Sequence, residues 1–180
     1  GMQYTADRLA KRGLTPGIWF MPFAGTYNNP YFADRQEVFA KWDDGTPIVT
    51  RWSGTLLDMS HPKTQAFVRE RVKRIADWGY RYFKLDGMHT GAVTHNVYVN
   101  TGYATDGRWL NSPNFIGQQA EPGSSSSAKA SQALHDPGMT HIEAYRKGLE
   151  IVRTAAPGVF VLGCNVSQNM RSMGGSFGLI

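Results

Sequence analysis

The stretch GYRYFKLDG, residues 79–87, decides the fold class. A run of aromatic and apolar residues ends in a charged pair, which predicts a short strand over 80–86. Side chains alternate along a strand, so Tyr82, Lys84 and Asp86 are expected on the same face. A lysine and a carboxylate at the end of a core strand form either a structural ion pair or a chemical site.

Helix-like and strand-like segments alternate on both sides of this stretch. The spacing of apolar residues predicts helices over 3–12, 62–78 and 139–154, and continuous apolar runs predict buried strands over 17–23 and 159–164. The resulting order favours an α/β fold with a parallel sheet covered by helices. Two architectures fit this order: part of a (β/α)8 TIM barrel, with about three strands in this chain, or a small doubly wound sheet.

The connections are less regular than the elements they join. Residues 24–53 are rich in turn-forming residues and include a possible short helix over 33–41, and residues 55–58 are expected to be extended. Ser60 before His61-Pro62 predicts that a capping hydroxyl starts the second helix. Residues 88–138 form a long polar insertion of the kind usually associated with function or disorder.

Composition excludes several classes of protein. The net charge is +5, but the basic residues on the second helix are interpreted as a solvated face and not as a nucleic-acid site; they are Lys63, Arg69, Arg71, Lys73 and Arg74. No apolar run is long enough to cross a membrane, and the five histidines lack metal-binding spacing. We therefore expect no nucleic-acid or membrane partner, no metal and no cofactor.

The carboxyl ends of the predicted strands carry the residues with chemical potential. In parallel sheets, active residues gather beyond these ends, where Asp86, the Cys164-Asn165 pair and Met21 are expected. A carboxylate in this position acts as a nucleophile, a general base or a metal ligand. The residues alone leave open a purely structural ion pair between Lys84 and Asp86.

Three segments resemble family 36 and family 27 glycoside hydrolases. They are RLAKRGLTPGIWFMPF (8–23), LLDMSHPKTQAFVRERVKRIADWGYRYFKLDG (56–87) and VLGCNVSQNMRSMGGSFGLI (161–180). The K-x-D motif after a G-Y-x-Y run is the most specific part of the resemblance. Members of these families are mostly α-galactosidases built on a (β/α)8 barrel.

The resemblance implies a role for each matching residue. Asp86 corresponds to the catalytic nucleophile, and the implied reaction is hydrolysis of α-galactosides or related α-hexosides with retention, through a covalent glycosyl-enzyme intermediate. The implied substrate-binding residues are Lys84, Trp19, Cys164, Asn165 and Arg171.

The chain also departs from the family pattern. Met21 stands where the family's WFEP motif has a glutamate. Asp58 is interpreted as a turn residue, and no carboxylate besides Asp86 is predicted at a strand end. The resemblance implies that the general acid follows the Arg-x-x-x-Gly-Gly loop, so it is expected beyond Ile180. About three strands cannot close a barrel of eight. We therefore expect residues 1–180 to be part of a catalytic barrel domain, inactive alone and prone to self-association through open strand edges.

Two other functions remain open at this level. Lys84 and the glycine-containing segment 86–91 are compatible with an aldolase-type barrel that handles phosphate. A non-catalytic carbohydrate-binding fragment is also compatible with the sequence.

Overall fold

The structure is a computed structural model that describes residues 1–42, 45–48, 54–92, 132–164 and 171–178. Its helices are α1 (Met2–Ala10), α2 (Pro62–Asp77), α3 (His141–Ala155) and α4 (Arg171–Ser176). Its strands are β1 (Gly17–Phe20), β2 (Ala24–Gly25), β3 (Lys41–Trp42), β4 (Thr55–Leu56), β5 (Tyr82–Leu85), β6 (Gln132–Ala133) and β7 (Phe160–Gly163). Short 3-10 helices occupy Pro30–Phe32, Gln36–Val38 and Met88–Ala92.

A parallel three-stranded sheet, in the order β1-β5-β7, confirms the predicted α/β class. Trp19 pairs with Lys84, and Lys84 pairs with Leu162. Helix α2 connects β1 with β5 and helix α3 connects β5 with β7, as parallel strands require a crossover.

One face of the sheet is buried beneath helices. Phe83 and Leu85 have no exposed surface, and they share a single hydrophobic cluster with Val68 and Val72 of α2 and Leu149 of α3. On α2 the apolar residues recur at the i, i+4, i+7 spacing that the sequence indicated, which places them on one side of the helix. Burial of each such side chain stabilises the fold by about 1.5–3 kcal/mol.

The opposite face of the sheet is not covered by the described residues. Trp19 is 51% exposed and Phe160 is 45% exposed, and Phe160 stacks on Tyr82 with 5.1 Å between ring centroids. The prediction that 17–23 and 159–164 form buried strands is therefore wrong for one face of each strand, within the described residues. The apolar side chains of each run alternate between a face that the helices cover and a face that the described residues leave exposed.

Long connections leave the carboxyl ends of β1 and β5 and pair with each other. Strand β2 pairs antiparallel with β4 inside the first connection, and β3 pairs antiparallel with β6 of the second. The short helix predicted over 33–41 is instead a 3-10 turn followed by extended backbone, because Phe32 and Phe39 turn inward and contact each other, with 4.9 Å between ring centroids. A Cβ at Gly25 would lie 2.7 Å from the Phe32 ring, so only glycine fits beside this pair.

The start of α2 differs from the prediction. Its N-cap is His61, whose Nδ1 accepts a hydrogen bond from the Lys63 backbone amide at 3.0 Å, and Pro62 occupies the first turn. The Ser60 hydroxyl instead donates to Asp58 Oδ1 at 2.6 Å. Ser60 is thus part of a turn that precedes the helix, because Asp58 is the stronger acceptor within its reach.

Candidate functional site

The carboxyl ends of the three parallel strands meet at one edge of the sheet. The Asp86 backbone amide donates to the Phe20 carbonyl at 3.1 Å, and the Cys164 amide donates to the Leu85 carbonyl at 2.7 Å. These bonds extend the parallel pairing by one residue beyond β5 and β7. Asp86 therefore lies at the sheet edge where α/β proteins place their active residues.

Two donors orient the Asp86 carboxylate. Trp19 donates its indole Nε1–H to Asp86 Oδ2 at 3.0 Å, and the Gly87 amide donates to Oδ1 at 2.7 Å. Each oxygen keeps further lone-pair capacity, because a carboxylate offers about four acceptor positions. With Asp86 half-buried and Trp19 half-exposed, the carboxylate is fixed in direction and accessible from the uncovered face.

The turn after Asp86 is rigidly held. Gly87 adopts φ +58°, a left-handed conformation that favours glycine. Its carbonyl accepts from the Thr90 amide at 2.9 Å and from the Thr90 hydroxyl at 2.7 Å. Met21 packs on Gly87 from the end of β1, with its Sδ 3.4 Å from the position a Cβ would take.

Lys84 precedes Asp86 by two residues, so the two side chains lie on the same face of the sheet. Lys84 is paired with Trp19 on the neighbouring strand β1. Within the part of the chain that the structure describes, its ammonium forms no ion pair with Asp86 within 4.0 Å. The structural ion pair left open by the sequence is thus not formed. Lys84 is half-buried.

The remaining predicted site residues are placed only in part. Cys164 lies at the end of β7, half-buried and with a free thiol. Arg171 begins α4, but its side chain lies outside the described residues, as does all of Asn165. The structure therefore brings Trp19, Lys84, Asp86 and the Cys164 backbone to one edge of the sheet.

Arg71 is a residue near the site that sequence reasoning missed. The sequence predicts that Arg71 belongs to a solvated basic helix face. Its Nη2 instead donates to the Met21 carbonyl beneath the end of β1, and its guanidinium lies 5.4 Å from the Phe67 ring centroid. Its Nε is buried and has no hydrogen-bond partner among the described residues. Burial lowers the pKa of Arg71 to about 10, which still leaves the group charged at neutral pH. The i+4 spacing from Phe67, which is itself in the core, is the signal that could have identified it.

Three other described carboxylates, those of Asp58, Glu143 and Glu150, are engaged elsewhere. Asp58 is 4% exposed, and its two oxygens accept from Ser60 and from the His135 amide, which agrees with its interpretation as a turn residue. Glu143 closes a capping box with Thr140 at the start of α3, and Glu150 pairs with Lys147. Asp106 lies outside the described residues. None of the described ones apart from Asp86 ends a strand of the parallel sheet.

Across the described ranges, no group of three or more histidine, cysteine or acidic side chains is arranged to hold a metal ion. No helix in those ranges has the length and apolar character needed to cross a membrane.

No protein-family model matches the chain. Among solved structures, the chain is similar to TtGalA, an α-galactosidase from Thermus thermophilus solved with stachyose: the TM-score is 0.61 at 22% identity, over 93% of this chain and 28% of that one. It is also similar to the GH36 α-galactosidase AgaA from Geobacillus stearothermophilus, with a TM-score of 0.55 at 15% identity, over 99% of this chain and 24% of that one. The glycoside hydrolase domain of PelA from Pseudomonas aeruginosa gives 0.53 at 12% identity, over 89% and 47%.

These similarities concern the fold. The chain has the fold of a segment found in family 36 α-galactosidases, and it spans 28% and 24% of the lengths of the two enzymes compared. These structures support the family 36 part of the resemblance and not the family 27 part.

Proposed function

We propose that this chain belongs to a retaining glycoside hydrolase that acts on α-linked galactosides or related α-hexosides, with Asp86 as the nucleophile. The observation that carries the proposal is the Asp86 carboxylate at the sheet's carboxyl edge, oriented by Trp19 and Gly87 and accessible from the open face. The similar structures contain oligosaccharides of this class, stachyose in TtGalA and raffinose in a variant of AgaA.

In this mechanism Asp86 attacks the anomeric carbon and forms a glycosyl ester, which water then hydrolyses. The Trp19 indole offers an apolar surface beside the nucleophile, and the Lys84 ammonium donates hydrogen bonds to sugar hydroxyls. Cys164, Asn165 and Arg171 are proposed to line the same pocket. A second carboxyl group about 5–5.5 Å from Asp86 must protonate the leaving oxygen, and we propose that it comes from outside the described residues.

The same proposal accounts for the uncovered face of the sheet. In a (β/α)8 barrel the helices cover the outer face and the inner face packs against the other strands. The row Trp19, Lys84 and Leu162 would then face the barrel interior, with residues 1–180 forming part of the catalytic domain and 88–138 a long insertion in it. Residues 93–131 of that insertion lie outside the described residues.

The described geometry does not favour a phosphate-handling barrel. That alternative would use the backbone amides of Gly87 and Thr90 to bind an anion, but these amides already donate to Asp86 Oδ1 and to the Gly87 carbonyl. No specific observation favours a purely carbohydrate-binding role either.

Covalent labelling tests the proposed function directly. The complete protein that contains this chain is incubated with a mechanism-based galactosyl fluoride, digested and analysed by mass spectrometry. We expect the glycosyl label on the peptide that carries Asp86, and no label after D86N substitution. A label on another carboxylate, or borohydride trapping of a substrate on Lys84, would contradict the assignment.

Replacement of Trp19 by phenylalanine is expected to lower kcat/KM for an α-galactoside by about tenfold or more. The variant keeps an aromatic ring but loses the donor that orients Asp86, and a hydrogen bond to a charged group contributes about 1.5–3 kcal/mol. W78F is the matched control, because Trp78 lies at the far end of α2, away from the site. Equal activities of W19F and W78F would show that the Trp19 hydrogen bond does not act in the reaction.

We also propose that the isolated 180-residue chain associates with itself through its strand edges. Among the described residues, β1 and β7 each pair with β5 alone, so each has one unpaired edge beside the exposed Trp19 and Phe160 side chains. Sedimentation equilibrium at micromolar concentration is expected to show a dimer or a larger species. A single monomeric species over the whole concentration range would contradict this proposal.

A further inference from the structure

The two long connections are joined at a second cluster of titratable residues, which we call the loop junction. It consists of Asp58, Ser60 and His61 from the first connection and His135 and Asp136 from the second. Asp58 Oδ2 accepts from the His135 amide at 2.7 Å, and the Ser60 hydroxyl oxygen accepts from the Asp136 amide at 3.1 Å. The rings of His61 and His135 lie 3.9 Å apart between centroids, with a tilt of 42°.

The hydrogen bonds of His61 fix its protonation state. Its Nδ1 accepts from the Lys63 amide at 3.0 Å, so Nδ1 carries no proton and the neutral ring holds its proton on Nε2. Protonation would add a hydrogen to Nδ1. Nδ1 and the Lys63 amide would then both be donors, and the hydrogen bond between them would be lost. The cap of α2 and the positive charge of His61 are therefore mutually exclusive in this arrangement.

The charged groups around His61 act in opposing directions. His135 and Lys63 disfavour a second positive charge, whereas Asp58 and Glu37 favour it. Asp58 is already engaged by three donors, and Glu37 is paired with Lys63 at 2.9 Å. Burial, followed by the proximity of His135, lowers the pKa of His61 below its ordinary 6.5.

From this geometry we propose that the loop junction is a pH-sensitive contact, in which protonation of His61 releases the end of the second connection from the first. When the junction is open, His61 takes up a proton near its ordinary pKa of 6.5; when the junction is closed, it does so only at a lower pH. Low pH therefore favours the open form, and neutral pH favours the closed form. This contribution is lost as the pH falls from about 6.5 toward the lowered pKa of the closed form. The proposal does not depend on the proposed glycosidase activity.

Hydrogen exchange and histidine NMR on the 180-residue chain test this junction. We expect His61 to titrate below pH 6.5 as the Nε2–H tautomer. We also expect protection of the His135 and Asp136 amides to fall about fivefold between pH 7.5 and 5, the change in equilibrium constant that loss of one helix N-cap typically causes.

Three variants make the test specific. In H61N the asparagine side chain retains a cap acceptor for Lys63 without titrating, so the pH dependence of protection is expected to disappear. H135N keeps the backbone bond to Asp58 and removes the neighbouring ring, so the pKa of His61 is expected to rise. H141N changes a histidine outside the junction and should respond to pH as the unmodified chain does. A His61 pKa at or above 6.5, or an unchanged pH response in H61N, would overturn the proposal.

Discussion

Substitution of Asp86 by asparagine is expected to lower kcat/KM for an α-galactoside by about 10⁴-fold in the complete protein. Asparagine preserves the size of the side chain, but its single oxygen can accept from only one of Trp19 and Gly87 in this geometry, and it cannot form the glycosyl ester. The effect should therefore fall on kcat, while binding of the sugar product is retained. Steady-state kinetics with an aryl α-galactoside, together with calorimetric titration of galactose, would measure both quantities.

Asp77 provides the matched control for this substitution. It lies at the end of α2 in an exposed pair with Lys73, so D77N makes the same chemical change far from the sheet edge. We expect D77N to retain at least about half of the activity, since exposed pairs contribute little. Comparable losses in D86N and D77N would remove the kinetic support for Asp86 as the nucleophile.

Truncation of Phe23 to alanine is expected to reduce the free energy of unfolding by about 3–5 kcal/mol. Phe23 has no exposed surface and lies edge-on to Tyr145, with 6.4 Å between ring centroids. Its ring fills the space beside Gly91 and Gly148, where an added Cβ would come within 2.7 and 2.8 Å of it. The cavity left by alanine cannot be filled by these glycines. Urea denaturation at fixed chain concentration would measure the loss.

Alanine substitution of Phe160 shows whether the loss of stability in F23A comes from the burial of Phe23 or from the removal of a phenylalanine as such. Phe160 is 45% exposed and stacks on Tyr82, so F160A should cost about 1 kcal/mol or less. If F160A were as destabilising as F23A, the open face of the sheet would have to be covered in solution. Measurement at two chain concentrations distinguishes coverage by a second copy, because only that contribution depends on concentration.

The elements of the fold that depend on local periodicity could be predicted from the sequence. The stripe of Val68, Val72 and Ile75 identified α2, and the run ending at Leu85 identified β5, because each pattern is complete within a single segment. The parallel sheet followed from their alternation. The exposure of Trp19 could not be predicted, since it depends on which elements cover the second face and not on the strand that carries it.

The candidate site was predictable in position but not in detail. Asp86 was expected at the strand end from alternation and the K-x-D motif, yet its partner is the Trp19 indole and not the Lys84 ammonium. Which side chain contacts Asp86 depends on the register between β1 and β5. That register cannot be inferred from the sequence of either strand alone. The hydrogen bond from Arg71 to the Met21 carbonyl and the pairing of His61 with His135 were missed for the same reason, because each joins residues that are distant in the sequence.

Among the residues with described positions, β1 and β7 each have an unpaired edge, and this has a consequence for biosynthesis. While such edges are bare, strands of other newly made chains can add to them, and parallel sheets are slow to complete because their contacts are distant in sequence. Growth temperature and chaperone supply should therefore govern the yield of recombinant material more strongly than core stability does. Cooler expression slows synthesis and weakens apolar association, and it is expected to move the product from inclusion bodies into the supernatant.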